Sequence, residues 1–151
     1  MLRVTILGCG GSGGVPLIGG ADEGGEWGAC DPAEPRNRRS RTSALVEGPG
    51  GGRLLIDAGP DLRQQLLAAR ASRVDAVLFT HAHADHILGI DDLRQINRNT
   101  GRALEAVGTG TTLRKLDDRF DYAFIGATPP FFFRPALEPR RVEYGERFEI
   151  A

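Results

Sequence analysis

The sequence predicts an α/β layered fold, because short apolar strand segments alternate along the chain with segments of helical periodicity. Its 151 residues are the length of one domain. Hydrophobic residues make up 40% and charged residues 26% of the chain, as in an ordinary globular protein. Glycine, with 21 residues, is about twice as frequent as usual. We therefore expect a single loop-rich domain over residues 1–151.

The first half of the chain predicts three strands and one helix. Val4–Leu7 is apolar and β-branched and runs into the glycine loop Gly8–Gly14, a strand followed by a turn. Ser43–Glu47 and Arg53–Ile56 predict two strands joined by a turn, because only glycines and one proline separate them. Leucines at helical spacing then predict a helix over about residues 60–70.

The second half continues the alternation and ends in edge strands. Its predicted elements are a strand at Val74–Thr80, a helix with apolar residues at Ile87, Ile90, Leu93 and Ile96, a strand at Leu104–Val107, a helix at about Leu113–Phe120 and edge strands at Phe131–Phe133 and Arg147–Ile150. The residues Thr109–Thr112 offer capping oxygens to the last helix.

Composition and charge argue against several classes of protein. The formal net charge of −1 is not that of a general nucleic-acid or membrane-surface binder, which usually carries excess positive charge. No apolar run of about 18 residues predicts a membrane span, and we expect no signal peptide from the pattern of Met1–Leu7. We expect a cytoplasmic protein in which Cys9 and Cys30 are buried free thiols rather than zinc ligands.

The histidines form one motif, Thr80-His81-Ala82-His83-Ala84-Asp85-His86, which holds all three histidines of the chain. Such an HxHxDH arrangement arises by chance in roughly one in ten thousand sequences of this kind. His81 and His83, two apart in an extended loop, can converge on one metal ion. A turn into a helix would carry Asp85 and His86 to a second ion. The alternative is a polar turn whose histidines only form hydrogen bonds.

Three stretches in this order resemble the metallo-β-lactamase-fold hydrolase superfamily: Ile6–Gly14, Leu55–Gly59, and the HxHxDH motif followed by Gly89. The resemblance implies a four-layer αββα sandwich, of which this chain would be the N-terminal portion. It also implies Asp57 as a buried carboxylate that supports the metal loop.

The same resemblance assigns the metal ligands. It implies His81 and His83 on the first ion and Asp85 and His86 on the second. The implied cofactors are two divalent ions, Zn²⁺ or Mn²⁺. The superfamily site also needs one more histidine on each ion and usually a bridging aspartate, and no histidine follows His86.

The later aspartates lie on or beside predicted helices and are expected to be solvated: Asp91, Asp92, Asp117, Asp118 and Asp121. We therefore expect the domain to be incomplete at its C-terminus, with the remaining ligands supplied elsewhere. The 151 residues alone could then be inactive.

The substrate class is suggested by the densest positive segment, four arginines between residues 36 and 41. Guanidinium groups suit bidentate phosphate contacts, so Arg38, Arg39 and Arg41 are candidate substrate contacts. The alternative is a solvated basic loop. The stretches Trp27–Arg41 and Gly89–Arg94 resemble the phosphodiesterase branch of the superfamily, which is similar to phosphoribosyl cyclic phosphodiesterases. The Gly8-x-Gly10-x-x-Gly13 match to a dinucleotide fingerprint is set aside, because Val15-Pro16 follows where a helix must begin.

These observations predict a metal-dependent hydrolase that cleaves a small cyclic or nucleotide-like phosphodiester with a metal-bound hydroxide. Asp85 is the predicted catalytic residue, orienting the hydroxide as well as binding metal. The expected partner is a small phosphate-ester substrate, with neither a membrane nor general nucleic-acid binding. An unfinished sheet edge would favour a homodimer. The alternatives are a thioester or lactone hydrolase of the same fold and a non-catalytic metal- or ligand-binding module.

Overall fold

The computed structural model describes residues 1–126 and 133–150. Within these residues six strands form one sheet, and their order in the sheet is their order along the chain. The strands are β1 (Arg3–Gly8), β2 (Ser43–Glu47), β3 (Arg53–Ile56), β4 (Ala76–Leu78), β5 (Leu104–Gly108) and β6 (Leu137–Arg141). The helices are α1 (Leu62–Ala68), α2 (Ala84–Ile87), α3 (Leu93–Thr100) and α4 (Gly110–Phe124).

The sheet is antiparallel on one side and parallel on the other. β1, β2 and β3 pair antiparallel, whereas β3, β4, β5 and β6 pair parallel. Because strand order advances in one direction, right-handed crossovers put the connecting helices on one face of the sheet. The predicted α/β fold class is confirmed, and the described residues supply one helix layer and one sheet layer of it.

The helix-covered face holds the main core. Leu45, Leu55, Val77 and Ala106 project from neighbouring strands into a cluster with the buried residues of α1, α3 and α4. All four are at most 3% exposed, and each large apolar side chain buried in this way contributes about 1.5–3 kcal/mol. This core fixes the strands whose ends carry the histidine motif.

The opposite face is apolar but only partly covered. Ala76, Val107 and Val142 are buried there beneath Phe148 and Ile150. The register places Val4 and Ile6 of β1 on the same face, where they are 54% and 65% exposed. The sheet therefore presents an uncovered apolar surface at its β1 side, which is named the open sheet face below.

The chain end differs from the prediction. Residues 147–150 form no strand, so the strand predicted at Arg147–Ile150 is wrong; Phe148 and Ile150 instead pack as an irregular segment on the sheet. The sixth strand is β6, which contains Pro139. A proline lacks an amide donor but is accepted at a sheet edge. Of the predicted strand at Phe131–Phe133, residues 131–132 lie outside the described residues.

The helix predicted through Ile87 and Ile96 is interrupted. Gly89 N donates to Ala58 O at 2.8 Å rather than to the carbonyl four residues earlier, which breaks the helical ladder. The segment therefore divides into α2, a 3₁₀ turn at Ile90–Asp92 and α3. The capping prediction for α4 is confirmed, because Thr109 Oγ1 accepts from Thr112 N at 3.3 Å.

The two cysteines are free, but Cys9 is exposed and Cys30 is half-buried, so the prediction of buried thiols is wrong. Cys9 follows β1 in the glycine loop, where no core covers it. The longest helix in residues 1–126 and 133–150 has 15 residues, and none there combines the length and apolar character needed to cross a bilayer.

Candidate metal and catalytic site

The carboxyl ends of three neighbouring parallel strands meet at one edge of the sheet. Asp57 directly follows β3, the segment Phe79–His81 follows β4 and Thr109 follows β5. In open α/β sheets, ligands bind at this edge, outside the carboxyl ends of the strands. The topology therefore brings the histidine motif to the position where a site is expected.

Asp57 is the buried centre of this edge. Asp57 is only 1% exposed. Its Oδ1 accepts a hydrogen bond from Thr80 N at 2.8 Å. Oδ2 accepts from Thr80 Oγ1 and from His86 Nδ1, at 2.7 Å each. The backbone φ of Asp57 is 59°, in the left-handed region that few non-glycine residues occupy. Such conformations cluster at functional sites.

These hydrogen bonds select the tautomer of two neutral histidine rings. A carboxylate can only accept, so the proton of neutral His86 lies on Nδ1. The hydroxyl proton of Thr80 is donated to Asp57, and Thr80 Oγ1 therefore accepts from Nδ1 of His81 at 3.0 Å. In the neutral form of both rings Nε2 then carries no proton, which is the form in which imidazole binds a metal.

The rest of the motif lies close to these rings. The ring centroid of His81 is 4.5 Å from that of His83 and 4.0 Å from that of His86. Asp85 Oδ2 lies 3.3 Å from Nε2 of His86. A carboxylate oxygen facing an imidazole lone pair is unfavourable unless a second proton or a bound cation provides positive charge. The donor chemistry of this pair therefore fits a divalent metal.

The described residues do not form a complete metal site. In residues 1–126 and 133–150 no group of three or more His, Cys, Asp or Glu side chains is arranged to hold one ion. The predicted pairs, His81 with His83 and Asp85 with His86, each offer two ligands, and a catalytic zinc usually takes three from protein. The assignment of these four residues as metal ligands remains a prediction.

Two glycines allow the loop after β3 to touch the histidine motif. A Cβ at Gly59 would overlap the carbonyl oxygen of Asp85, and one at Gly89 would overlap the carbonyl oxygen of Gly59. Ala58 N donates to His86 O at 2.8 Å and joins the same two loops. Both glycines are therefore required by the close approach of backbone to backbone.

The arginines predicted to contact substrate lie in three different environments. Arg41 is ion-paired, with Nε 3.0 Å from Asp61 Oδ2 but without hydrogen-bond geometry. The guanidinium of Arg38 lies over the ring of Trp27, 4.8 Å from its centroid. Arg39 is exposed. The structure does not gather the three around one point, and their role as substrate contacts remains a prediction.

A cavity of about 580 Å³ opens beside His81. The first turn of α4 and three basic side chains, Arg114, Lys115 and Arg141, line it together with Thr80 and His81. Arg141 donates from Nε to Glu143 Oε1 at 2.7 Å. Arg114 and Lys115 form no ion pair within residues 1–126 and 133–150.

Arg114 and Lys115 are not among the site residues predicted from the sequence, because they follow the motif by a full strand and lie on a helix, α4, whose pattern indicates only packing. The available signal was the polar helix start after β5, Thr109–Thr112. A helix N-terminus at the carboxyl edge of a sheet attracts anions.

The α/β sheet, with the histidine and aspartate motif at its carboxyl edge, has the metallo-β-lactamase fold. The chain belongs to the beta-lactamase superfamily, because residues 52–151 match its domain. The superfamily predicted from the motifs is thereby confirmed.

Three known proteins show how far the similarity extends. The chain is 37% identical over 150 residues to an octanoyltransferase of Porphyromonas gingivalis strain ATCC BAA-308 / W83, covering 99% of this chain and 29% of that protein. It is 44% identical over 61 residues to ribonuclease Z of Bradyrhizobium sp. strain ORS 278, covering 39% of this chain and 20% of that protein. Its structure is similar to that of a diphosphatase from the PhnP family, with a TM-score of 0.77 and 35% identity.

That similarity covers 95% of this chain and 52% of the diphosphatase. The chain therefore spans about half the length of this solved structure and less than a third of the two curated relatives.

Proposed function

We propose that this chain carries the histidine motif of a metal-dependent hydrolase that cleaves a phosphodiester in a small cyclic or nucleotide-like substrate. The observation that supports the phosphate most directly is the basic cavity beside His81. Two of the similar proteins, a ribonuclease and a diphosphatase, have names that denote cleavage at phosphorus.

The residues of the motif would hold the metal. His81, His83, Asp85 and His86 are the proposed ligands of two divalent ions, Zn²⁺ or Mn²⁺, which would activate water and neutralise phosphate charge when bound. Asp57 would act through its hydrogen bonds to Thr80 and His86, by holding the rings in the metal-binding tautomer.

The cavity supplies the second part of the proposal. Arg114 and Lys115, both exposed, would contact phosphate oxygens that do not face the metal, because charge-assisted hydrogen bonds to phosphate are strong. The first amides of α4 add partial positive charge at the same wall. Asp85 would orient the attacking water by accepting a hydrogen bond from it.

Two substitutions test this function. We expect Asp85→Ala to lower kcat on bis-p-nitrophenyl phosphate by at least about a hundredfold, with folding checked by circular dichroism. Charge reversal of Arg114 and Lys115 together should reduce kcat/KM for the same diester by about tenfold or more. The matched control is Arg147→Glu, which reverses an exposed arginine outside the cavity. Near wild-type turnover in Asp85→Ala would refute the proposed role of Asp85.

A second candidate is thioester or lactone hydrolysis, favoured by the octanoyltransferase name of one relative, of which this chain covers 29%. An uncharged acyl substrate needs no basic wall. Turnover of a thioester that exceeds turnover of the diester and is unchanged by reversal of Arg114 and Lys115 would support this candidate. Bound metal without turnover of any ester would instead support a non-catalytic binding module.

A further inference from the structure

We propose that the groove between α1 and α3 binds an acidic amphipathic helix of a partner protein. The groove has a volume of about 670 Å³ and is lined by residues 63–72 of the α1 side and 92–99 of the α3 side. It contains none of the predicted metal ligands and none of the residues that line the cavity beside His81. The proposal goes beyond the proposed hydrolase function and does not depend on it.

The rim of the groove is strongly basic. Four arginines line it, Arg63, Arg70, Arg94 and Arg98, against the one acidic residue Asp92. No residue within 1–126 and 133–150 pairs with the side chains of Arg63, Arg70 or Arg94. The whole chain has a formal net charge of −1, so positive charge is more concentrated at this groove than over the chain as a whole. Its complement is a ligand rich in carboxylates or phosphates.

The floor of the groove is apolar, and this favours a peptide over a nucleic acid as the ligand. Leu66 and Ile96 are buried, at 7% and 3% exposure, whereas Leu67 beside them is 63% exposed. A phosphate backbone would leave Leu67 uncovered. A helix with a leucine stripe between rows of glutamate would cover Leu67 and meet arginines on both sides, which is the usual way an amphipathic helix binds a groove.

Arg70 has a left-handed backbone conformation at the end of α1. Its φ is 52°, at the position after α1 where glycine usually ends a helix. Ala71 N donates to Leu66 O at 2.9 Å and Arg70 N to Leu67 O at 3.1 Å, so the helix end is regular apart from the side chain. Glycine would adopt this conformation without strain, so the arginine side chain is not needed to end the helix.

A side-chain hydrogen bond fixes the two sides of the groove relative to each other. Asn99 Nδ2 donates to Ser72 O at 2.8 Å and ties the end of α3 to the segment after α1. Helices of 7 and 8 residues give the groove a length of about 12 Å, enough for roughly two turns of a bound helix. A preformed groove of this kind reduces the entropy lost on binding.

The test uses a fluorescein-labelled synthetic helix of glutamate, leucine and alanine, with leucines at positions i, i+3, i+4 and i+7, titrated with the full chain by fluorescence anisotropy. We expect saturable binding that weakens as salt increases. A peptide with glutamine in place of glutamate, and one with the same composition but dispersed leucines, should each bind about tenfold more weakly. Equal binding of all three peptides, or no binding of the first, would overturn the proposal.

Variants locate the binding on the groove. The double variant Arg63→Glu/Arg94→Glu and the variant Leu67→Asp should each weaken binding by about tenfold, whereas Arg147→Glu should change it less than about twofold. Unchanged binding in the groove variants, despite unchanged folding, would contradict the proposal.

Arg70→Gly separates function from structure. It should weaken binding by about threefold while raising the temperature of unfolding, because glycine adopts the left-handed conformation without strain. If this variant binds the peptide as tightly as the wild type does, Arg70 does not contribute to the proposed binding site. Tighter binding of a single-stranded RNA than of the acidic peptide, lost in the same double variant, would replace the proposed partner by a nucleic acid.

Discussion

Nδ1 of His86 lies 2.7 Å from Oδ2 of Asp57, a contact between residues 29 positions apart. It joins the loop after β3 to the end of the histidine motif. The same oxygen accepts the hydroxyl proton of Thr80 at the start of the motif. One buried carboxylate thus aligns both ends of the segment that holds every histidine of the chain.

Replacement of Asp57 by asparagine tests this alignment. Asparagine tolerates a positive φ, so Asp57→Asn removes the charge and replaces one acceptor oxygen by an NH2 donor without backbone strain. We expect the free energy of unfolding to fall by about 2–4 kcal/mol, because buried donors lose a charged partner. Zinc affinity should fall about 10- to 100-fold. Urea denaturation and isothermal titration measure the two effects.

The matched control is Asp118→Asn, which changes an exposed aspartate on α4. It should leave both quantities unchanged within about 0.5 kcal/mol. Equal effects at positions 57 and 118 would show that the buried carboxylate has no special role.

Gly59→Ala should be strongly destabilising. The new Cβ would overlap the carbonyl oxygen of Asp85, which is backbone and cannot rotate away, so we expect a loss of about 3 kcal/mol or more. Gly50→Ala is the control, because its Cβ would meet open space, and it should change stability by less than about 0.5 kcal/mol. Thermal and urea unfolding of both variants measure the difference. A small effect at position 59 would mean that the two loops separate easily.

Tyr122 should titrate late in the folded protein. Burial first, and then the hydrogen bond from its hydroxyl to Asp91 Oδ1 at 2.9 Å, raise its pKa to about 12. The folded state therefore retains a proton that the unfolded chain loses near pH 10, and stability should decline as the pH rises from about 10 to about 12. Phenolate absorbance in a Tyr144→Phe background measures the midpoint.

Asp91→Asn should lower the pKa of Tyr122 only in part, because burial is the larger cause. A midpoint at the value of free tyrosine in the parent protein would show that the phenol is solvated.

The open sheet face should promote self-association. Val4 and Ile6 are more than half exposed there, and an apolar patch rarely stays uncovered in a monomer. We expect concentration-dependent dimerisation by sedimentation velocity, and a monomer for the double variant Val4→Lys/Ile6→Lys. Ile18→Lys is the control, because Ile18 is fully exposed in a loop outside the sheet. A wild-type chain that stays monomeric at about 100 µM would contradict this prediction.

Local sequence patterns predicted most of the fold and the grouping of histidines at the centre of the candidate site. The hairpin strands match β2 and β3, because glycines separate two apolar runs. The histidine motif comes together because its spacing is short and a buried strand precedes it. The sequence did not predict β6, because Pro139 argues against a strand unless the strand lies at a sheet edge. Whether a strand lies at an edge depends on the whole sheet and not on the local sequence.

The remaining differences depend on contacts between distant parts of the chain. The break before α3 arises from the hydrogen bond of Gly89 to Ala58, which no local pattern contains. Lys115 lines the cavity beside His81 only because β4 and β5 are neighbours in the sheet. Arg41 is ion-paired with Asp61, a pairing that the density of arginines in its segment does not predict.

Metal content and phosphodiester turnover, measured on one purified and unchelated sample, test the central claim most directly. Elemental analysis and hydrolysis of bis-p-nitrophenyl phosphate should be compared between the full-length protein, in which the remaining metal ligands are expected, and its Asp85→Ala variant. We expect about two divalent ions per molecule with turnover, and in the variant the loss of turnover together with the ion that Asp85 would hold. No bound metal, or stoichiometric metal without turnover of any phosphodiester, would contradict it.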